Sequence, residues 1–385
     1  MHGLKGFQFH LPTRIIFGPG TVAKTGEEAA RLGSKACLIA AAGTMRQQGY
    51  LEIVARSLME SGVPCEIFDE VQSNPDTDTV ERGAEFARRT GCDLTIGLGG
   101  GSAVDAAKAI AAAAGLNRPI LDLMRDGMPS RGYPCIALPT TAGTGAEATH
   151  ISVLTIVESK RKEALRSPYN FPATAIIDPA LTLSLPPHYT ASTGLDALTH
   201  AIEAYTSRTA QPYADVCACK AMELVARHLR RAVYCGDDLE ARTGMALASN
   251  LAGIAISHAG TAAAHGVGMT VGGVCNLDHG VVVGLALPVA MEFNLPTCPE
   301  KFAEIARLMG EKTSGLSTRQ TAELAIRAVR TLLVDLGLPT RLSELGVTVE
   351  VLPLLIEDTR TQRVWLNNPR PVTEARMKSF LSELL

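Results

Sequence analysis

Surplus basic charge is missing from this 385-residue chain: 36 Lys and Arg stand against 39 Asp and Glu, for a net charge of −3 and a pI near 6.3. That balance argues against a nucleic-acid partner, and no block of like charge reads as a tail. Apolar runs of membrane-spanning length are also lacking. The most apolar stretches, GVVVGLALPVAM and AVDAAKAIAAAAGL, are short or carry Asp and Lys, so no membrane association is expected. The N-terminal MHGLKGFQFHLPTR has no long apolar centre of the signal-peptide kind. Nine cysteines occur without a CxxC pair, and the closest two, Cys217 and Cys219, have poor spacing for a disulfide. Reduced thiols in a cytoplasmic protein are the expectation. No internal repeat or low-complexity segment is present.

What remains is a globular composition, 46% apolar and 19% charged with 35 glycines, in a chain long enough for two domains. Residues 5–20 read as a short strand pair closed by Gly18-Pro19-Gly20. Helices at 21–32, 48–62, 79–91 and 103–115 then alternate with strands at 35–43, 63–71, 92–102 and 133–145. Such alternation predicts a mostly parallel sheet covered by helices on both faces, which binds ligands at the carboxyl ends of its strands. ISVLTIVES and ATAIIDP add two strands. From about 183 onward the periodicity is helical, with breaks expected at prolines 186–187, 288, 296 and 353. The expected division is therefore an α/β dinucleotide-binding domain over 1–182 and an all-α metal-binding and substrate domain over 183–385.

Two glycine-rich turns follow adjacent strands. Gly99-Gly100-Gly101-Ser102 opens a helix, where free N–H groups and close backbone approach suit an anion. It matches neither GxGxxG nor a Walker loop. Pro139-Thr140-Thr141-Ala142-Gly143-Thr144-Gly145 offers three hydroxyls after the next strand. One such turn alone is most simply a tight strand–helix connection; two at neighbouring strand ends point to a pyrophosphate and a sugar. Asp105 and Lys108 sit just inside the following helix, Asp105 in a position that also suits the helix dipole. Lys160 and Lys162 lie in the charged ESKRKE patch, and a solvated loop suits Lys160 better than Lys162.

In STGLDALTHAIEAY, Asp196 and His200 stand four residues apart on one face of a predicted helix. The helix is otherwise apolar, so a charged face inside it calls for a partner. His265, among small residues in TAAAHGVGM, and His279, in LDHG, would complete a set of three imidazoles and one carboxylate that suits Fe²⁺ or Zn²⁺. Glu203 reads as a surface residue or as a support for these ligands. His258, seven residues before His265, is a weaker candidate; His150, after the second glycine turn, is expected to line the cleft, and His2, His10, His188 and His228 read as surface or turn residues.

Taken together, LPTRIIFGPGTV, GGGSAVDAAKAIA, PTTAGTGAEAT, IIDPALTLSLPP, TGLDALTHAIEAY and LDHGVVVGLALP resemble the iron-containing, group III alcohol dehydrogenases over essentially the whole chain. The resemblance implies that Asp196, His200, His265 and His279 are the metal ligands, in a cleft between an α/β and a helical domain. It also implies that Asn74, Gly101, Ser102, Thr140, Thr141, Thr144 and Lys162 line the cofactor; Gly100 and Asp105, in the same turn and the helix it opens, are expected there with them. Two positions depart from the family pattern. Met269 stands where many members have a second His four residues after His265, which removes that side chain as a proton relay. Ala41 stands where many NAD-using members have an acid for the ribose hydroxyls, and its absence permits NADP; Arg46 is near enough in sequence to meet a 2′-phosphate. The implied activity is metal-dependent, NAD(P)-linked, reversible hydride transfer between a small alcohol and its aldehyde, hydroxy acids and other anionic short-chain substrates included. Iron is the family's usual metal, and zinc suits the same ligands. A homodimer or higher homo-oligomer is expected. The rival readings are a maleylacetate reductase-like enzyme, a group that lacks the acid at the Asp196 position, and a non-catalytic dinucleotide-binding protein. Dehydroquinate synthase shares only the architecture.

Overall fold

Side chains along a strand alternate between the two faces of a sheet, and here both faces are buried. In the computed structural model, which describes residues 6–359 and 362–385, β2 (Ala36–Ala41) sends Ala36, Leu38 and Ala40 into one apolar core and Cys37 and Ile39 into another. The first core is shared with Leu51, Val54 and Leu58, the second with Val80, Ala84 and Ile110.

The chain divides into two units, one of residues 11–185 with Asp237–Ala246, the other of the described residues up to His10, Pro186–Gly236 and Leu247–Leu385. In the first unit, β1 (Arg14–Phe17) and α1 (Thr25–Leu32) precede β2. There follow α2 (Thr44–Gln47), α3 (Tyr50–Glu60), β3 (Cys65–Val71), α4 (Thr77–Arg89), β4 (Leu94–Gly99), α5 (Gly101–Leu116), α6 (Ile120–Asp126) and β5 (Cys135–Pro139). The unit is completed by β6 (Ile151–Ile156), β7 (Arg161–Arg166) and β8 (Thr174–Ile177). Six strands form one parallel sheet in the order β1-β8-β5-β4-β2-β3, while β6 and β7 pair antiparallel with each other. The order reverses between β2 and β4, so the ends of these two strands form the switch point where such sheets bind ligands.

Close helix packing sets the geometry at that point. A Cβ on Gly97 would lie 2.7 Å from the Ala107 Cβ, and one on Gly99 would lie 2.8 Å from the Ala103 Cβ. The glycines of β4 and the alanines of α5 therefore allow α5 to lie directly on the strand, with its N-terminus at the strand's carboxyl end.

Several expectations are corrected here. Residue 5 lies outside the described residues, and residues 6–20 form no strand pair; β1 pairs in parallel with β8, Arg14 opposite Thr174. The charged patch is part turn and part strand: Lys160 lies in the turn, as the loop reading has it, while Lys162 pairs with Thr155 in β7. Two stretches also fall outside a simple division at 182/183. The described residues up to His10 belong with the helical unit, where Phe9 stacks on His258 at 4.1 Å, and Asp237–Ala246 belongs with the sheet unit, where Arg242 donates to Leu185 O at 3.0 Å.

The second unit is helical: α7 (Pro187–Thr206), α8 (Pro212–Tyr234), the second part of α9 (Leu239–Ala259), α10 (Ala263–Val274), α11 (His279–Asn294), α12 (Pro299–Leu308), α13 (Thr318–Asp335), α14 (Leu352–Thr359) and α15 (Glu374–Leu384). Pro288 does not break α11. It removes one backbone donor, but almost every neighbouring side chain is buried and packing holds the helix. With the following turn, His279–Thr297 is long and apolar enough to cross a membrane, yet 78% of that window is buried inside the protein, as in a core helix.

Candidate metal centre

Four polar residues follow one stripe of α7: Ser192, Asp196, His200 and Glu203, each three or four positions from the last. All four are buried among Leu195, Leu198 and Ala201. Polar groups placed this way need partners from neighbouring helices. His265, at the third residue of α10, and His279, at the first residue of α11, supply them.

The three imidazoles converge on one carboxylate oxygen. Asp196 Oδ1 lies 3.5 Å from His265 Nε2, 3.7 Å from His200 Nε2 and 3.8 Å from His279 Nε2. The His200 and His265 rings stack at 4.5 Å, and the His279 ring is tilted 59° to His265. Ligand atoms of Asp196, His265 and His279 all lie within 4.8 Å of one another, and His200 faces the same oxygen. Asp196 Oδ1 and His265 Nε2 are buried and make no hydrogen bond. Buried polar atoms ordinarily find a partner. Three nitrogens converging on one carboxylate oxygen, with Asp196 Oδ1 and His265 Nε2 buried and without a hydrogen bond, fit a single divalent cation.

Charge reinforces the geometry. Burial alone would raise the Asp196 carboxyl, but the imidazoles, His200 foremost, hold it well below the usual carboxylate range. Burial pulls the His265 imidazole down, yet Asp196 and Glu203 together push it up to about 9.

His279 is placed by its own neighbours. Ser192 Oγ donates to Asp278 Oδ1, and the same oxygen caps α11 by accepting from Val281 N at 3.0 Å. Gly280 lies against the backbone of Ser192, where a Cβ would come within 2.3 Å of Ser192 O. Neither Ser192 nor Asp278 was among the residues singled out from the sequence. Asp278 at the start of an apolar run carried a capping signal; Ser192 carried none beyond its helical spacing. His258 lies on a different helix from His265, because Gly260 turns the chain at φ +65°, and it bonds Ile254 O at 2.7 Å. His228 is buried on α8 rather than exposed. His150 lies against Phe171.

In the sheet unit, the two glycine-rich turns touch. A Cβ on Gly101 would lie 2.7 Å from both Thr144 Oγ1 and Cγ2, and one on Gly100 would lie 3.3 Å from Thr141 Cγ2. Thr140 N donates to Gly99 O at 2.9 Å. Nearby, Asn74 adopts φ +56°, donates its backbone N–H to Ser102 Oγ and accepts from Lys162 Nζ at 2.9 Å. Burial pushes the Lys162 ammonium below its ordinary range. These residues form a glycine-lined cradle at a helix N-terminus, which fits a pyrophosphate. Asp105, expected at the cofactor, is engaged inside the unit, with Lys108 Nζ at 3.0 Å and Val153 N at 2.9 Å. Arg46 pairs with Asp69 at 2.8 Å.

Two family models match: "Iron-containing alcohol dehydrogenase" over residues 12–179, and "Fe-containing alcohol dehydrogenase family, C-terminal" over residues 190–385. The 1,3-propanediol dehydrogenase of Citrobacter freundii is 38% identical over 98% of both chains. A crystal structure of 1,3-propanediol oxidoreductase superposes with a TM-score of 0.96 at 38% identity, covering 99% of this chain and 100% of that one. Sulfoacetaldehyde reductase from Bifidobacterium kashiwanohense, solved in complex with NAD⁺, superposes with a TM-score of 0.89 at 32% identity over 99% of both chains.

Proposed function

The chain belongs to the iron-containing alcohol dehydrogenase family, and we propose on that footing that it interconverts a short-chain alcohol and its aldehyde at a centre of Asp196, His200, His265 and His279. It is an oxidoreductase acting on CH–OH groups. In balance, the alcohol and the oxidised nicotinamide give the aldehyde, the reduced nicotinamide and one proton. Bound at these four residues, a divalent cation supplies Lewis acidity that polarises a carbonyl oxygen and lowers the pKa of an alcohol.

The chain's own groups do the rest. Asp196 would set one negative charge against a divalent ion held there, leaving a net charge of +1 that would draw a substrate oxygen. Burial of Asp196, His200 and His265 keeps bulk water from the ligand atoms. Met269, one turn beyond His265 on α10, has no exchangeable proton. We therefore assign proton exchange to solvent or to the cofactor ribose. In the sheet unit, the Gly99–Ser102 and Thr140–Thr144 turns support binding of the pyrophosphate, and Asn74 and Lys162 lie beside Ser102. Ala41, at the end of β2, supports acceptance of NADP as well as NAD, because no carboxylate there opposes a 2′-phosphate. Iron is the ion we assign, and three nitrogens with one carboxylate suit zinc as well.

The observation that carries this reading is the convergence of three imidazole nitrogens on Asp196 Oδ1 at 3.5–3.8 Å. Its test is a panel of short alcohols, aldehydes, hydroxy acids and sulfo-aldehydes with NADH and NADPH, run on iron-loaded wild type and on His265→Ala. Turnover by the wild type and its loss in His265→Ala are expected. Equal turnover by both proteins overturns the assignment.

A further inference from the structure

The metal ligands are held as firmly as their own hydrogen bonds allow, and one of these runs to a residue that has no part in coordination. Glu203 lies at the end of the polar stripe on α7, and its carboxylate is buried. Glu203 Oε2 accepts from His265 Nδ1 at 2.7 Å and from Ala262 N at 2.8 Å; Oε1 accepts from Ala264 N at 2.6 Å. Ala262 caps α10 and Ala264 is its second residue, so Glu203 satisfies donors that the start of a helix leaves unpaired.

We propose that Glu203 is a positioning residue: by accepting only, it keeps the proton of His265 on Nδ1 and presents the Nε2 lone pair to the metal beside Asp196. The inference rests on the metal reading above. The two oxygens of Glu203 face three nitrogen groups and no acceptor other than Nδ1 itself, so the carboxylate serves there as an acceptor. The His265 tautomer is thereby decided from α7, the helix that also carries Asp196 and His200. The same three hydrogen bonds join the N-terminus of α10 to α7, so the ring's orientation and the helix's position are set together.

The test substitutes Glu203→Gln, which preserves size and one acceptor oxygen. Oε2 takes both His265 Nδ1 and Ala262 N while Oε1 takes Ala264 N, so the Gln amide either turns its NH₂ on Ala264 N–H and loosens the start of α10, or turns it on Nδ1, whereupon the His265 proton moves to Nε2 and blocks ligation. Zinc, a diamagnetic probe, is titrated against a chelator in both proteins. The dissociation constant of E203Q is expected to rise about 10- to 100-fold. Nitrogen-15 histidine labelling of the zinc-loaded wild type should show a downfield Nδ1–H proton on His265, with cross-relaxation to the Ala262 amide. That spectrum decides the matter even where E203Q fails to fold. Equal zinc affinity in E203Q, or a zinc-loaded wild type whose His265 Nδ1 bears no proton, overturns the proposal. A wild type that takes up no zinc overturns the metal reading and the proposal with it.

Discussion

Gly280→Ala is a small change with a large expected effect on metal retention. Gly280 follows His279 at the start of α11, and an added Cβ would stand 2.3 Å from Ser192 O, 2.7 Å from Ser192 C and 2.7 Å from Ser192 Oγ. An ordinary carbon–oxygen approach is about 3.3–3.6 Å. The shortfall is therefore roughly 1 Å, and two of the three atoms are backbone, so no rotamer change relieves it. The start of α11 must withdraw from α7 by about that distance, and His279 goes with it, away from Asp196 Oδ1. Coordination bonds tolerate only about 0.2 Å, so the His279 bond breaks while the other three ligands stay. Overpacking of this kind costs about 1–3 kcal/mol. For a unit of this size each kcal/mol lowers Tm by about 2–4 °C. The assay is metal content per chain after dialysis, read beside a melting curve. Metal loss with a modest fall in Tm is expected. A variant with full metal content, unchanged Tm and wild-type turnover would refute the packing argument.

His265 gives the pH dependence. Its folded pKa is raised from 6.5 to about 9, so its ion pairing stabilises the metal-free protein fully below about 6.5 and is lost as pH rises through about 9. Metal uptake must release that proton, so apparent affinity should climb about tenfold per unit between pH 7 and 8.5; a flat profile in a chelator competition contradicts this. Gly101→Ala places a Cβ 2.7 Å from Thr144 Oγ1 and Cγ2. Displacing that hydroxyl removes about one hydrogen bond, worth 0.5–1.5 kcal/mol, and should raise the cofactor KM roughly 2- to 10-fold; an unchanged KM in steady-state kinetics would remove the turn from the cofactor site. Ala41→Asp puts a carboxylate at the end of β2, beside Gly99. A repulsion of about 1 kcal/mol at 4 Å in water should lower NADPH use relative to NADH by at least about fivefold; equal kcat/KM ratios in wild type and variant speak against a 2′-phosphate at this strand end.

Legibility in the sequence followed how local each signal was. The strand–helix alternation to residue 145 and the helical remainder could be read because each element carries its own periodicity. Asp196 and His200 could be paired from spacing alone, since one helix face holds both. His265 and His279 could not be joined to them by spacing: each opens a different helix, and what brings them together is packing of α10 and α11 on α7, with Glu203 and Ser192 as anchors. The error at β1 has the same origin. Its partner β8 lies some 160 residues on, and a parallel pairing leaves no turn signal beside the strand. The start of β7 was hidden in a charged patch because it is half of a two-stranded ribbon, with Arg161, Glu163 and Arg166 exposed. His258 and His265 share an apparent seven-residue spacing that Gly260 cancels by turning the chain between them.

The central claim is that the four residues around Asp196 Oδ1 hold one divalent ion that turnover requires. Its most direct test is to strip the protein with a chelator, titrate Fe²⁺ back under anaerobic conditions, and follow bound metal and NAD(P)-linked activity together. Activity that vanishes on stripping and returns linearly up to one ion per chain is the predicted result. Full activity in metal-free protein would contradict the account.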